Sequence, residues 1–468
     1  MFIKQFYTNC LSEAAYYIES EGVAVVIDPL RDIDAYLNLA KERNSKIAYI
    51  FETHFHADFV SGHIDLGKRT GAPVVYGPGA KTSYAIHSAA DGEIISFGKV
   101  SIEVIHTPGH TLESTCFLLK DENGTPNAIF TGDTLFVGDV GRPDLSSGNM
   151  SSEDLAAIMY DTIQNKLLPL EDHIIVYPAH GPGSSCGKNM GPDTFSTIGD
   201  QKKTNYALQP QSKEDFIKAV TNGLAAAPVY FAVNARINQM GYDDVNEVVE
   251  KGTAKLSINE FISLSSDSDA IILDTRKATT FTEGFIPGSV SIGLEGRFAE
   301  WAGNMLSFDN PIILVTDEGK EEESVVRLAR VGFDKMKGCL NGGFEAWRNA
   351  GEPIDMIVDV EADELIMDIP HDNNLLVVDV RKENEFADGH LENAMNLPLH
   401  EMTDIVQLAQ FEDNQNLYIH CAGGYRSVIA ASLLKRQGVN NLRNILGGWA
   451  EIKKQEKAKI VKEATIVN

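Results

Sequence analysis

Histidine and aspartate side chains form four short clusters in the first 190 residues of the chain. In chain order, the clusters contain His54, His56 and Asp58, then His110, then Asp133, and then His180. Imidazole and carboxylate groups are ligands that zinc and first-row transition metals take from proteins, and four such clusters would rarely occur together by chance. The sequence therefore predicts a metal site built from these side chains.

Each cluster follows a short apolar run that predicts a β-strand. The four runs span residues 46–51, 101–105, 128–130 and 173–177. Loops at the ends of neighbouring strands often bring their side chains to one site, because the strands hold them on a rigid scaffold. From about 212 to 251 the apolar pattern becomes helical, with breaks at Ala227-Pro228 and at Gly241, which predicts an arm that closes the first domain.

The clusters closely resemble the metallo-β-lactamase superfamily, whose signature is an HxHxDH loop followed by a histidine, a bridging aspartate and a last histidine. The resemblance covers about residues 1 to 200 and implies an αββα sandwich. Phe59 stands where the two-metal members carry the last histidine of the loop, and a phenyl ring cannot bind a metal. A second ion would have only Asp58, His180 and a shared Asp133, so we expect one metal.

The chain also resembles the ethylmalonic-encephalopathy-type persulfide dioxygenases of this superfamily. That resemblance implies a single Fe(II), held by His54, His110 and Asp133. Two imidazoles and one carboxylate form the facial triad of mononuclear non-haem iron oxygenases, which leaves coordination positions open for a substrate sulfur and O2. The remaining polar groups of the clusters would then orient the ligands and water; they are His56, Asp58 and His180.

Two further features lie near this expected site. The sequence Gly141-Arg142-Pro143-Asp144 matches the GRxD turn of the same dioxygenases. Arg142 either orients a carboxylate of the substrate or pairs with Asp144 to close the loop, and both interpretations stay open. Cys186, just after the last histidine cluster, is expected near the mouth of the site, as a small buried thiol or as a persulfide relay.

A second reactive group is expected at Cys421, where an apolar strand ends and a glycine-bearing loop leads into a helix. The N–H groups of such a loop converge on an anion and lower the pKa of a thiol at its base, and Arg426 adds positive charge. Cys421 and Arg426 form a Cys-x4-Arg loop, which is one residue shorter than the phosphate-sized loop of related phosphatases and therefore favours sulfur transfer.

This segment resembles the rhodanese family over about residues 365 to 455. The resemblance rests on Asp379 and Arg381, the CxGGxR loop, and the later Gly447-Gly448-Trp449 turn. It implies that Cys421 is the nucleophile, with Arg426 as its cationic partner. The other residues that would surround the sulfane sulfur are Ala422, Gly423, Gly424, Tyr425 and Ser427.

An internal repeat indicates a second copy of this domain in the preceding hundred residues. The segment IILDTR before Lys277 matches LVVDVR before Lys382, and the Gly-Gly-aromatic turns match at the same offset of 105 residues. The repeats are therefore expected to be two rhodanese-like α/β domains in tandem. Asp317 stands about where the nucleophile of the first copy belongs, and a carboxylate cannot carry sulfane sulfur, so the first copy is expected to be inactive.

The expected architecture is therefore α/β, with a metallo-β-lactamase sandwich followed by two rhodanese-like domains. The predicted boundaries are 1–210 for the metal domain, 211–253 for the helical arm and linker, 254–357 for the inactive rhodanese-like domain, and 358–468 for the active one. A length of 468 residues suits about three cored units.

Composition excludes several classes of partner. The 40 basic and 67 acidic residues give a net charge of −27, which would repel nucleic acid and anionic membrane surfaces. Apolar runs fall short of the roughly 18 residues that a membrane helix needs. Because Glu13 and Glu19 interrupt the region where a signal peptide is apolar, a cytoplasmic location is expected. The five cysteines contain no CxxC pair and suit reduced thiols.

The order of the three domains resembles the multidomain persulfide dioxygenase-sulfurtransferases of sulfide detoxification. It implies oxidation of a thiol persulfide by O2 to sulfite, and transfer of sulfane sulfur through Cys421 to give thiosulfate. The carrier thiol stays open between glutathione, coenzyme A and similar compounds. A homo-oligomer is expected, because an inactive domain offers an assembly surface. Two alternatives stay open, a zinc-dependent glyoxalase II-like thioester hydrolase fused to a sulfurtransferase, and a non-oxidative sulfur carrier or partner-binding protein.

Overall fold

The computed structural model describes residues 1–145, 150–267, 269–408, 410–412 and 414–463. The chain divides into two compact units. The first comprises Met1–Glu247 and Val326–Asp334, and the second comprises Val248–Val325 and Lys335–Asn468. Among the described residues, none of the helices combines the length and the apolar character that a membrane crossing requires.

The first unit is built on two six-stranded sheets, each with its strands in sequence order. The first sheet contains β1 (Phe2–Thr8), β2 (Glu13–Ser20), β3 (Val23–Ile27), β4 (Lys46–Glu52), β5 (Val74–Tyr76) and β6 (His87–Ser88). The second contains β7 (Ile94–Phe97), β8 (Val100–His106), β9 (Thr115–Lys120), β10 (Pro126–Gly132), β11 (Ile175–Pro178) and β12 (Ser196–Thr197). All four predicted strands are present, with ends that differ from the prediction by at most two residues.

Helices cover the outer faces of the two sheets. They are α1 (Asp34–Glu42), α2 (His63–Thr70), α3 (Ser152–Thr162), α4 (Ile198–Thr204) and α5 (Lys213–Thr221). Helices α6 (Phe231–Met240) and α7 (Val245–Gly252) follow them in the chain. Alternate residues of the strands, such as Tyr16 and Phe130, fill the core between the sheets, while Tyr17 and Leu118 face the helical layers. The four layers confirm the predicted αββα sandwich.

The predicted helical pattern after residue 212 is confirmed as three short helices. Helix α5 is capped by Ser212, whose hydroxyl accepts from the backbone N–H of Asp215. Helix α6 ends where Gly241 adopts a φ of +91°, a conformation that L side chains rarely take. The breaks expected from the sequence therefore lie between elements.

The second unit contains two five-stranded parallel sheets with the same strand order. The first repeat has β13 (Lys255–Leu256), β14 (Ile271–Asp274), β15 (Val290–Ser291), β16 (Ile312–Val315) and β17 (Met336–Leu340), with α8 (Ile258–Asp267), α9 (Ala278–Glu283), α10 (Phe298–Met305), α11 (Glu321–Ala329) and α12 (Gly343–Asn349). Its sheet order is β13-β17-β16-β14-β15, so β15 is an edge strand.

The second repeat has β18 (Val358–Val360), β19 (Leu375–Asp379), β20 (His390–Leu391), β21 (Met395–Asn396), β22 (Asn416–His420), β23 (Leu442–Ile445) and β24 (Ile460–Val461), with α13 (Ala362–Asp368), α14 (Glu383–Ala387), α15 (Ile405–Leu408), α16 (Tyr425–Arg436) and α17 (Trp449–Ile452). Its five-stranded sheet has the order β18-β23-β22-β19-β21, and β20 pairs separately with β24. The matching topologies confirm that the repeat is a duplication of one α/β domain.

Candidate metal centre and sulfur-transfer loop

The ends of strands β4, β8 and β10 bring His54, His110 and Asp133 together. The Nε2 atoms of His54 and His110 lie 3.8 and 3.4 Å from Oδ2 of Asp133. One ligand atom from each of the three side chains lies within 4.8 Å of the other two, and all three residues are buried. The arrangement therefore offers two imidazoles and one carboxylate to a single point.

Hydrogen bonds fix which nitrogen each imidazole turns toward this point. Nδ1 of His110 donates to the carbonyl oxygen of Arg142 at 2.8 Å. The Thr53 hydroxyl donates to Asp28 at 2.8 Å, so its oxygen is left to accept from Nδ1 of His54 at 3.0 Å. In both rings the proton therefore belongs on Nδ1, and the Nε2 lone pair faces Asp133, as metal binding requires.

The residues present fit a metal ion. Both carboxylate oxygens of Asp133 are buried without a hydrogen-bond donor among the described residues. Burying a carboxylate costs free energy unless the group forms an ion pair or coordinates a metal. Burial, together with the neighbouring imidazoles, holds the pKa of His54 well below its ordinary value, which keeps its ring neutral for coordination.

Asp58, His180 and Cys186 form a second buried group whose ligand atoms also lie within 4.8 Å of one another. Nε2 of His180 lies 3.5 Å from Asp58 and 3.5 Å from Asp133, so this group adjoins the first. Burial alone would lower the pKa of His180, but the Asp58 and Asp133 carboxylates raise it well above its ordinary value. Burial raises the pKa of the Cys186 thiol, which favours its protonated form.

His56 faces a different set of carboxylates. Its Nε2 atom lies 3.1 Å from Asp28 and 3.6 Å from Glu52, both of which are buried. Its ring lies 4.3 Å, between centroids, from the ring of Phe59, which is fully buried. The phenyl ring therefore fills the space beside His56 with an apolar group, as the sequence predicted for this position.

Arg142 is fully engaged by neighbouring groups. Its guanidinium makes a two-point ion pair with Asp144 at 2.6 and 2.7 Å, and donates to the carbonyl of Ala225 at 2.6 Å. Its own backbone N–H donates to the carbonyl of Cys186 at 2.9 Å. This geometry favours the interpretation that Arg142 closes the loop and positions His110; binding of a substrate carboxylate stays a prediction.

Sequence reasoning missed several polar residues of this site, among them Asn238, Glu13 and Asp28. Asn238 of helix α6 donates to the carbonyls of His56 and Phe59, both at 2.8 Å, and accepts from the N–H of Ser61 at 2.9 Å. Glu13 is completely buried, neither of its oxygens has a hydrogen-bond partner in the described part of the chain, and burial raises its pKa well above the ordinary value. The third is Asp28, which ends an apolar strand; that strand-end pattern, already used for the four clusters, was the signal that could have found it.

The Cys421 loop begins where strand β22 ends and leads into helix α16. The backbone N–H of Gly424 donates to Sγ of Cys421 at 3.1 Å, and the Cys421 side chain is buried. Gly448 approaches so closely that a Cβ there would lie 2.3 Å from the Cys421 carbonyl oxygen, and its φ is +54°. The Gly-Gly-Trp turn therefore needs glycine to close the base of the loop.

Polar side chains surround the thiol. Arg426 forms a two-point ion pair with Glu385 at 2.7 and 2.9 Å. Ser427 lies 3.7 Å from Sγ of Cys421 and donates to Asn444 at 2.7 Å. Of the predicted loop residues, Gly424 and Ser427 therefore contact the sulfur. Glu385 and Asn444, which sequence reasoning did not single out, hold Arg426 and Ser427 in place.

In the first repeat, the position of the nucleophile belongs to Thr316. A Cβ at Gly343 would lie 2.9 Å from the Thr316 carbonyl, as a Cβ at Gly448 would contact that of Cys421. Thr316 also follows its strand directly, as Cys421 follows β22, so the sequence-based assignment of this position to Asp317 was one residue too far along the chain. Neither a hydroxyl nor a carboxylate carries sulfane sulfur, and the expectation of an inactive repeat therefore stands on Thr316.

Comparison with known proteins identifies both parts of the chain. The model of the metallo-β-lactamase superfamily matches residues 8–180, and that of the rhodanese-like domain matches 257–350 and 361–455. A metallo-β-lactamase of known structure from Staphylococcus aureus subsp. aureus COL is 33% identical, with a TM-score of 0.65, and the match covers 73% of this chain and 98% of that one.

Two curated relatives match the metal domain. A hydroxyacylglutathione hydrolase of Francisella philomiragia is 32% identical over 176 residues, which is 37% of this chain and 65% of that protein. The mitochondrial persulfide dioxygenase ETHE1 of Mus musculus is 30% identical over 207 residues, which is 42% of this chain and 71% of that protein. The chain thus spans just under two thirds of the hydrolase.

Proposed function

Because the chain belongs to the metallo-β-lactamase superfamily and carries two rhodanese-like domains, we propose that it oxidises thiol persulfides with O2 and transfers sulfane sulfur through Cys421. The oxidation would take place at one Fe(II) and release sulfite. Transfer of the sulfane sulfur to sulfite would give thiosulfate. The persulfide dioxygenase relative supports the first reaction, and the rhodanese-like domains support the second.

The observation that carries this proposal is the composition of the metal group. His54, His110 and Asp133 meet as two imidazoles and a carboxylate, and Phe59 replaces the histidine that a two-metal loop needs. An iron ion held by these three would supply the redox chemistry that O2 requires. The protein holds the ligating rings in one tautomer through Thr53 and the Arg142 carbonyl, and excludes water by burying all three side chains.

The sulfur-transfer step is assigned to Cys421. Its thiolate attacks the outer sulfur of a persulfide RSSH; the new S–S bond forms to Sγ as the RS–S bond breaks, and the thiol leaves as RS⁻. The Gly424 N–H, which donates to Sγ at 3.1 Å, holds the attacking sulfur in place. Sulfite then takes the outer sulfur, which returns Cys421 to its thiolate.

Oxygen uptake with a panel of thiol persulfides tests the proposal. Protein loaded anaerobically with Fe(II) should consume O2 with persulfides of glutathione, coenzyme A or similar thiols, and should release sulfite. The matched variants are Asp133→Asn, which removes one ligand charge, and Asp200→Asn, an exposed aspartate on helix α4. Absence of O2 uptake from the iron-loaded protein with every persulfide would refute the oxidative function.

A thioester hydrolase is the second candidate, and one observation favours it. Asp58, His180 and Cys186 form a second ligand group beside Asp133, where a second ion would be held, and the hydrolase relative supports the same chemistry. Two zinc ions per chain and release of free thiol from S-lactoylglutathione, without O2 uptake, would establish this candidate in place of the dioxygenase.

A further inference from the structure

A cleft of about 210 Å³ adjoins the Cys421 loop within the second unit. Gly423 and Gly424 of the loop form one end of it, together with the first turn of helix α16. The inactive repeat forms the opposite wall, with Lys277, Ala278, Thr279, Thr282, Gly293 and Glu295. The inactive repeat therefore contributes directly to the approach to the active thiol.

Hydrogen bonds hold this wall against the catalytic helix. The hydroxyl of Tyr425, at the start of α16, donates to the Gly293 carbonyl at 2.7 Å. The backbone N–H of Ser291 in β15 donates to the hydroxyl of Ser432 in α16 at 3.0 Å, and both serines are buried. The wall thus has a defined position relative to the loop that α16 follows.

The cleft offers a cation at its rim. Lys277 and Glu295 are well exposed and form an ion pair of 3.1 Å, which is weak enough in water to open for a ligand. Asp359, which also lines the cleft, already accepts from Thr282 at 2.6 Å and from Asn444 at 2.7 Å. Among the described residues that line the cleft, Lys277 is therefore the cation that can meet an incoming anion.

We propose that this cleft binds the organic arm of the thiol that exchanges sulfur with Cys421, and that Lys277 recognises a carboxylate on that arm. The inference rests on the sulfur transfer proposed for Cys421. A volume of about 210 Å³ suits the arm of a low-molecular-weight thiol, since pockets for drug-sized ligands are larger. The loop accepts anionic sulfur species, and a lysine on the approach favours substrates that carry negative charge.

Filling the cleft tests the binding site. With thiosulfate as donor, sulfur transfer to cyanide needs no organic arm, whereas transfer to 3-mercaptopropionate does. Thr279→Trp, on the exposed wall, should raise the ratio of the KM for 3-mercaptopropionate to the KM for cyanide at least tenfold over wild type. Glu283→Trp lies on the same helix outside the cleft and should change neither rate.

Removing the cation tests the ligand class. Lys277→Ala should raise the KM for 3-mercaptopropionate roughly two- to fivefold, the range of an exposed ion pair, and leave 2-mercaptoethanol unchanged. Lys320→Ala, an exposed lysine of the same repeat outside the cleft, is the control.

The outcomes separate this inference from the proposed function. No cyanide turnover by the wild type would refute the transfer function itself. Normal turnover of 3-mercaptopropionate by Thr279→Trp, or an equal loss with both thiols in Lys277→Ala, would overturn the cleft assignment while leaving Cys421 as the nucleophile.

Discussion

The side-chain amide of Asn238 donates to the backbone carbonyl of Phe59 at 2.8 Å, across 179 residues of sequence. The same nitrogen reaches the carbonyl of His56, and the amide oxygen accepts from Ser61. One side chain of helix α6 therefore holds both sides of the loop that carries His54 and Asp58, although α6 lies in the segment that the sequence presents as an arm.

We expect Asn238→Ala to weaken metal binding. The change leaves two carbonyls and one N–H of the loop buried without partners, at about 1–3 kcal/mol each. Iron affinity measured by chelator competition should fall roughly tenfold or more, as for partners that orient ligands. Asn234→Ala, a buried asparagine one turn earlier whose amide has no hydrogen bond among the described residues, is the control and should retain affinity.

His110→Ala should abolish stoichiometric iron binding. Removing one of three ligands opens the triad and leaves Asp133 with a single imidazole. Protein purified anaerobically should contain about one iron per chain by elemental analysis, and the variant almost none. His173→Ala removes an exposed histidine outside the clusters and should keep its metal. Two zinc ions in a fully active wild type would contradict the assignment of one iron.

Cys421→Ser should abolish transfer from thiosulfate to cyanide and leave the iron content unchanged. A hydroxyl in place of the thiol cannot form a persulfide. Cys339→Ser, at a buried cysteine of the inactive repeat, should retain transfer, and so should Thr316→Ala. Loss of transfer in Thr316→Ala, with the fold intact by circular dichroism, would show that the repeats have been assigned the wrong way round.

The Glu385 carboxylate should make the free energy of unfolding depend on pH in the acid range. Hydrogen bonding to Arg426 holds the pKa of Glu385 below its ordinary value. A lowered folded-state pKa stabilises the protein above the unfolded pKa of about 4.3, and this contribution disappears as the pH falls through the folded pKa. Because Glu385 is one-third exposed, the contribution should stay below about 1 kcal/mol.

Urea unfolding of Glu385→Gln measures this effect. The variant should be less stable than wild type at pH 7, and the difference should shrink toward zero below pH 4. Glu345→Gln removes an exposed ion pair of the first repeat and should follow wild type throughout. A difference that grows on acidification would have the wrong sign for this ion pair.

The two proposed reactions should be coupled. Because both sites belong to one chain, sulfite released at the metal site would meet the Cys421 persulfide at a high effective concentration. Wild type supplied with persulfide and O2 should therefore accumulate mostly thiosulfate, and Cys421→Ser mostly sulfite, as separated by ion chromatography. Equal sulfite yields from the two proteins would mean that the reactions proceed independently.

The sequence predicted the features that recur at a constant spacing along the chain and the side chains that stand directly after a strand. The clusters of His54, His110 and Asp133 stand at strand ends, and the duplication shows a constant offset, so the fold and the meeting of these side chains could be predicted. Their role as ligands stays a prediction. The contacts of Asn238 could not be predicted, because a hydrogen bond between segments so far apart leaves no periodic pattern in either. Thr316 was missed by one residue although the constant offset of 105 residues from Cys421 reaches it directly, and the approach of Gly343 supports this position in the folded backbone.

The backbone N–H of Ser291, in edge strand β15 of the inactive repeat, donates to Ser432 of α16. The carbonyl of Gly293, just after this strand, accepts from Tyr425 of α16. An exposed sheet edge invites pairing with another chain, and natural proteins cover such edges. Deleting the second repeat would uncover this edge. Deleting the first repeat would remove the hydrogen bonds that α16 makes with Ser291 and Gly293. The two repeats thus depend on each other structurally, whether or not the residue at Thr316 takes part in chemistry.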